Sequence, residues 1–258
     1  MTTLSIIIPA YNEKHTVGEI LSKIARVDFS AFGVSAEIVI VDDGSQDGTR
    51  ERLQKLPAQP HVSVLYHKHN RGKGAAIATG LQHASGEIIL IQDADLEYDP
   101  ADYRALVRPI VAGRAEAVYG SRIRGARVFG TRDYSYLHFY WGGRLLSWLT
   151  NLLFGVCVTD ESTGYKVFSR NALEQILPLE YRGFEFCSEV TAKLARRGIR
   201  IHEVPIHYYP RSRAQGKKIT WRHGVRAVFT LLHYRFAKPV EVAQDREVLA
   251  GSQAAVKL

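Results

Sequence analysis

Cysteine is scarce in this chain. Cys157 and Cys187 are the 2 present among 258 residues, and they form no Cys-x-x-Cys pair. That usage supports neither a disulfide framework nor a zinc site, and it fits a reducing compartment. No uninterrupted apolar run approaches the roughly 20 residues needed to span a bilayer. The first apolar run, residues 4–8, is reached without a basic start. Neither a spanning helix nor a secretory leader is therefore expected. Internal repeats, a domain linker and a Walker phosphate loop are also missing. What is present is an ordinary globular balance, 46% hydrophobic and 23% charged, with chain enough for one α/β domain and its core. The net charge of +8 points to anionic partners: nucleotide phosphates, acidic lipid or nucleic acid. Composition does not choose among them.

Short apolar runs at 4–8, 37–41, 62–66, 87–91 and 115–119 read as buried strands. Helical patterns lie between them at 14–26, 47–55, 73–84 and 100–112. This alternation predicts a mostly parallel central sheet with helices on both faces. Ligands of such sheets bind beyond the carboxyl ends of the strands, so the residues that follow each strand carry the argument. The second half reads differently. Residues 121–136 are basic and glycine-containing and predict a mobile loop. Residues 137–156 and 219–236 predict amphipathic helices, 185–197 a further helix and 200–208 a strand. Residues 237–258 read as a frayed polar tail.

The sharpest local signal is Asp93-Ala94-Asp95, directly after a strand. Residues i and i+2 project to one side, and two carboxylates so placed repel unless a cation or proton lies between them. Hard oxygen ligands beside phosphates suit Mg²⁺ or Mn²⁺. Taken alone, the pair is equally readable as solvated turn acids. Asp42-Asp43-Gly44-Ser45 ends another strand, where acids could hydrogen-bond a base or ribose while Ser45 and Asp47 cap the next helix. His67 and His69 share a strand face without a third ligand and read as a solvated pair.

Four segments occur in order: Ile7-Ile8-Pro9-Ala10-Tyr11-Asn12-Glu13, then Val41-Asp42-Asp43-Gly44-Ser45-Gln46-Asp47-Gly48-Thr49, then Asn70-Arg71-Gly72-Lys73-Gly74, then Asp93-Ala94-Asp95-Leu96-Glu97. The series continues through Gly120-Ser121-Arg122, Asp160-Glu161-Ser162-Thr163-Gly164-Tyr165, Glu203-Val204-Pro205 and the basic stretch 211–218. Order and spacing resemble the inverting family 2 glycosyltransferases of the GT-A fold, and within them the dolichyl- or polyprenyl-phosphate hexose synthases. The resemblance implies a GT-A domain over residues 1–236, with 1–120 binding the nucleotide sugar and 121–236 the acceptor. It implies that Pro9, Tyr11, Glu13, Asp42, Asp43 and Lys73 line the nucleoside pocket. Asp93 and Asp95 would hold the metal with Glu97 assisting, although Glu97 stands where the synthases often carry Gln. Arg122 would meet a phosphate. Asp160 would orient the acceptor or take its proton, with Glu161 as a stand-in. Arg211, Arg213, Lys217 and Lys218 would bind an acceptor phosphate. The chain departs from the synthases there, with Gln215-Gly216-Lys217-Lys218 in place of Gly-x-Ser-Lys.

The implied partners are a nucleotide-diphosphate sugar, of GDP-mannose or UDP-glucose type, and a lipid-linked phosphate. Such an acceptor predicts a protein held peripherally on the cytoplasmic face of a membrane. Trp, Leu and Phe beside Arg222, Arg226 and Arg235 in the two amphipathic helices fit that surface. The alternative is that both helices pack against the sheet and complete the core; a membrane partner subunit or a homo-oligomer stays open as a further partner. Transfer to a glycan or other lipid hydroxyl is the rival enzyme reading. A metal-dependent nucleotidyltransferase lacks its triphosphate loop here. Nucleic acid is not expected as a partner, because acids at strand ends repel a polyanion.

Overall fold

Alternate residues of the first strand serve two different cores. In β1 (Thr2–Ala10), Leu4, Ile6, Ile8 and Ala10 pack with Val17, Ile20 and Ile24 of α1 (Val17–Ala25) and with Tyr103, Leu106 and Val107 of α4 (Tyr103–Val111). Ile7 faces the other way, against Ile77 and Leu81 of α3 (Lys73–His83) and Phe186, Val190 and Leu194 of α8 (Phe186–Arg196). β4 (Ile88–Ile91) divides in the same way. A strand buried on both faces must be apolar throughout, which is why these segments read as continuous runs.

The computed structural model describes residues 2–130, 136–211, 218 and 220–237. Its 7-stranded sheet has the order β3-β2-β1-β4-β6-β5-β7, with β2 at Val34–Asp42, β3 at Val62–Tyr66, β5 at Ala117–Ser121, β6 at Lys166–Ser169 and β7 at Ile201–Pro205. Every neighbouring pair is parallel except the two made by β6. The chain runs outward from β1 through β2 to β3, then crosses to β4 on the other side of β1. The crevice between β1 and β4 is therefore a topological switch point, where open α/β sheets bind ligands. A third core layer joins Leu146 of α6 (Leu137–Phe154) and Ala227, Leu231 and Tyr234 of α9 (Trp221–Phe236) to Ala192 of α8.

Two features of the second half differ from the sequence expectation. The loop expected over 121–136 is instead the end of β5 followed by α5 (Arg122–Phe129). Its buried residue is Gly125, whose added Cβ would lie 1.8 Å from the Ile206 carbonyl oxygen. A helix that buries a glycine against a strand backbone shows no apolar periodicity. The antiparallel β6 is also new. Lys166 pairs with both Ile91 and Tyr119, so β6 begins where its parallel neighbours end and delivers residues 160–165 to the same edge. The expected tail, from residue 238 onward, lies outside the described residues.

Gln92 joins this core to that edge. It is fully buried. Its Oε1 accepts from the hydroxyls of Tyr103 and Tyr165, each at 2.7 Å, and its Nε2 donates to the Asp93 carbonyl at 2.9 Å. Gln92→Leu leaves two buried hydroxyls without an acceptor, at about 1–3 kcal/mol each. Urea unfolding is expected to show a loss of about 2–5 kcal/mol; an unchanged midpoint would contradict the role given to Gln92.

Candidate active site

The carboxyl ends of β1, β2 and β4 lie side by side, with Ala10 opposite Asp42 and Ile7 opposite Ile91. The turns that leave them open into one cavity of about 1150 Å³. Of the residues the sequence proposes, Pro9, Tyr11, Glu13, Asp43, Lys73, Asp93, Asp95, Glu97, Arg122, Asp160, Arg211 and Lys218 line it. Asp42 does not: it is fully buried behind the site, where its carboxylate pairs with Arg50 at 2.7 Å and accepts from Ser45 N. Arg213 and Lys217 lie outside the described residues.

Each member of the acid pair has met a cation. Asp93 Oδ1 is 2.6 Å from Lys73 Nζ, and Asp95 Oδ2 is 2.9 Å from an Arg211 Nη. Burial, then the neighbouring Asp93 and Glu97 carboxylates, push the Asp95 carboxyl up to about 7, with Arg211 opposing them. Leu96 between Asp95 and Glu97 is held at φ 63°, the left-handed region that L side chains enter only under constraint. Among the described residues no group of three or more acid, His or Cys side chains converges as a metal cage. Glu97 Oε1 instead accepts from Arg211 N at 2.8 Å. Two hard carboxylates under mutual repulsion fit Mg²⁺ or Mn²⁺, an ion that takes one or two protein carboxylates and completes its shell with phosphates and water.

Arg211 and Lys218 close over the end of β1. Glu13 accepts from Arg211 through both oxygens, at 3.1 and 3.3 Å, and from Lys218 Nζ at 2.7 Å. Lys218 also donates to the Tyr11 carbonyl and sits over the Tyr11 ring. Asp43 is occupied differently. Its carboxylate receives Arg71 N, Gly72 N and His67 Nδ1 at 2.7–2.9 Å, while His67 Nε2 meets Thr79 Oγ1. His67 is thus buried and paired, not part of a solvated pair. Asp43 builds the 70–73 turn that presents Lys73. An added Cβ on Gly72 would lie 2.4 Å from the Arg182 carbonyl, and one on Gly74 2.2 Å from that of Tyr181. The glycines there admit the 181–183 backbone across the start of α3.

Arg122 and Asp160, assigned to separate roles by sequence, bind each other. The Arg122 guanidinium donates to both Asp160 oxygens at 2.6 and 2.7 Å, and Arg122 N adds a third bond at 2.9 Å. Asp160 N and Thr159 N in turn donate to Glu203. A carboxylate so saturated is an effective anchor for its arginine.

Away from the acids the cavity turns apolar, between Leu145 and Leu146 of α6 and Trp221, Val225 and Val228 of α9. Outside it both helices keep exposed stripes, with Trp141 at 63%, Trp148 at 59% and Phe229 at 66%. Leu149, Phe154 and Val228 pack inward instead. Arg226 reaches Glu185 at 3.5 Å, whereas Arg222 and Arg235 stay on the surface. No helix among the described residues is long and apolar enough to cross a membrane. Sequence reasoning missed the 181–188 segment, which walls the cavity beside Lys73. Its only signal is Gly183-Phe184-Glu185 ahead of a helix.

Residues 5–177 match the model described as Glycosyl transferase family 2. The chain is 30% identical over 255 residues to the UDP-N-acetylglucosamine–dolichyl-phosphate N-acetylglucosaminyltransferase of Methanococcus voltae, covering 92% of this chain and 97% of that one. It is 28% identical over 214 residues to the dolichol-phosphate mannosyltransferase of Pyrococcus furiosus, covering 83% of this chain and 58% of that one. Glucosyl-3-phosphoglycerate synthase from Mycobacterium tuberculosis, solved with uridine diphosphate, superposes with a TM-score of 0.69 over 92% of this chain and 82% of that one, at 22% identity. The same enzyme with Mg²⁺ and uridine diphosphate gives 0.66 over 92% and 81%, at 23% identity. At that identity the likeness speaks for the fold.

The Arg122–Asp160 pair generates a stability test. Arg122→Met leaves a buried carboxylate uncompensated, at about 3–5 kcal/mol. Adding Asp160→Asn is expected to restore about half of the loss in urea unfolding. Additive losses in the double variant would contradict the pairing.

Proposed function

This chain belongs to glycosyl transferase family 2, and on that premise we propose that it moves a hexose from a nucleotide diphosphate sugar to a polyprenyl or dolichyl phosphate. One observation carries the reading: a single cavity runs from Asp93 and Asp95 to the apolar walls of α6 and α9. Phosphate chemistry and a path for a lipid chain thus meet in one place. The relatives named for dolichyl-phosphate acceptors support it. In this reading residues 1–120 hold the donor, with Tyr11 and Glu13 beside the nucleoside and Lys73 beside the diphosphate. Residues 121–236 receive the acceptor, with Arg211 and Lys218 drawn toward anionic groups.

The chemistry is argued from charge. Asp93 and Asp95 would hold the divalent ion, which when bound offsets the negative charge that grows on the departing diphosphate. Lys73, 2.6 Å from Asp93, adds a fixed positive charge on the same side. The acceptor attacks from the opposite face and inverts the anomeric centre. A phosphate monoester, with its second pKa near 6, is about −1.5 to −2 in charge at neutral pH. It needs positioning and no base. That suits a site whose Asp160 is already saturated by Arg122, whereas a hydroxyl acceptor would need a free general base. The exposed aromatic stripes of α6 and α9, with Arg222 and Arg235 on the surface, suit a peripheral seat on an anionic cytoplasmic leaflet.

The test is transfer of labelled hexose from UDP- or GDP-sugars into solvent-extractable polyprenyl phosphate. Activity is expected to vanish in chelator and to return with Mn²⁺ or Mg²⁺. Asp95→Asn is expected to cost about 100- to 1,000-fold in kcat. Full activity of that variant in chelator would remove the metal from the account.

A further inference from the structure

Among the residues lining the cavity is a carboxylate that accepts no hydrogen bond from the fold. Glu161 is fully buried, and neither of its oxygens has a hydrogen-bond partner. Ser188, 1% exposed, has an unpartnered Oγ as well. Burial pushes the Glu161 carboxyl up, opposed first by the nearby charge of Lys166 and then by Ser188, whose hydroxyl is not in hydrogen-bonding geometry. Both residues line the cavity. The Glu161 backbone, by contrast, is fully tied: its N–H donates to Ser147 Oγ at 3.0 Å, and its carbonyl accepts from the buried Lys166 Nζ at 2.7 Å. A fold that fixes a residue so firmly while leaving its charged end without a hydrogen bond carries a desolvation cost that the charge of Lys166 offsets only in part. Unsatisfied buried groups of this kind call for an explanation such as a ligand.

We propose that Glu161 and Ser188 form the subsite that binds the ring hydroxyls of the donor hexose, a reading that rests on the donor assignment above. Position supports it. An added Cβ on Gly164 would lie 2.3 Å from Asp93 Oδ2, so the 161–164 loop abuts the place assigned to the diphosphate. Cys187 Sγ, 3.8 Å from the Thr163 carbonyl, ties the first turn of α8 to the same loop. Glu161 directly follows Asp160, the partner of Arg122, and its loop ends against Asp93, so it borders the place where a hexose joined to the terminal phosphate would lie. Chemistry supports it too. A hexose offers neighbouring O–H donors, and two orphan carboxylate oxygens accept two of them. A buried acceptor built for a hydroxyl strongly rejects a ligand that lacks it.

The experiment is calorimetric titration of the full chain with Mn²⁺ present, using UDP, GDP and their hexose conjugates. Wild type is expected to bind one nucleotide and its sugar conjugate. Glu161→Ala should weaken the conjugate about 10- to 100-fold while leaving the bare nucleotide within about twofold. Ser188→Ala should weaken it by about 3- to 10-fold. Glu161→Gln keeps the side-chain volume and is expected to melt at or above the wild-type temperature, an outcome that a purely structural carboxylate would not give. Removing one ring hydroxyl from the donor should cost wild type affinity and Glu161→Ala almost none. Equal conjugate affinity in wild type and Glu161→Ala would overturn the subsite, as would parallel loss of nucleotide and conjugate. A wild type that binds no conjugate at all would overturn the donor reading, and the subsite with it.

Discussion

Parallel strands that end side by side force their acids together. Glu13 follows β1, Asp43 follows β2, and Asp93 and Asp95 follow β4, all lining one cavity. Repulsion among them must be answered, and much of the second half is arranged to do so. Lys73 comes in on the first turn of α3, while Arg211 and Lys218 reach back across more than a hundred residues of sequence to Glu13 and Asp95. The acids do not all answer the repulsion alike. Asp42 is neutralised by Arg50 behind the site, and Asp43 spends its charge on the backbone of the 70–73 turn. The charge left facing the cavity is concentrated at Asp93, Asp95 and Glu13, opposite Lys73, Arg211 and Lys218.

The parallel half was legible because its physics is local. A strand buried on both faces is a continuous apolar run, and helices between such runs leave few topologies. The site half was legible in residue identity but not in pairing. Arg122 and Asp160 are 38 positions apart, and their bidentate contact depends on β6 entering the sheet antiparallel at the carboxyl edge of β4 and β5. A strand as short as Lys166–Ser169 carries too few residues for a period to show. Helix α5 escaped for the opposite reason, since the residue it buries is a glycine. Glu161 reads in the sequence as a stand-in for Asp160 until its burial and its unbonded oxygens are seen together.

Function then turns on what a saturated carboxylate cannot do. Asp160, held at both oxygens by Arg122, is poorly placed to take a proton from a sugar hydroxyl. In the proposed reading it instead fixes a guanidinium beside the place given to the diphosphate. A transferase whose acceptor arrives already anionic loses nothing by this arrangement. The apolar walls of α6 and α9 would give the proposed acceptor room for a hydrocarbon chain, and their exposed tryptophans extend that surface outward.

The central claim is that the attacking group is a phosphate on a lipid. The most direct measurement offers the protein equal amounts of a polyprenyl phosphate and the polyprenol of the same chain length, with a labelled nucleotide sugar and Mn²⁺. Label is expected in the phosphate-linked product alone. Transfer to the polyprenol, or to a soluble glycan hydroxyl in preference to the phosphate, would contradict the account.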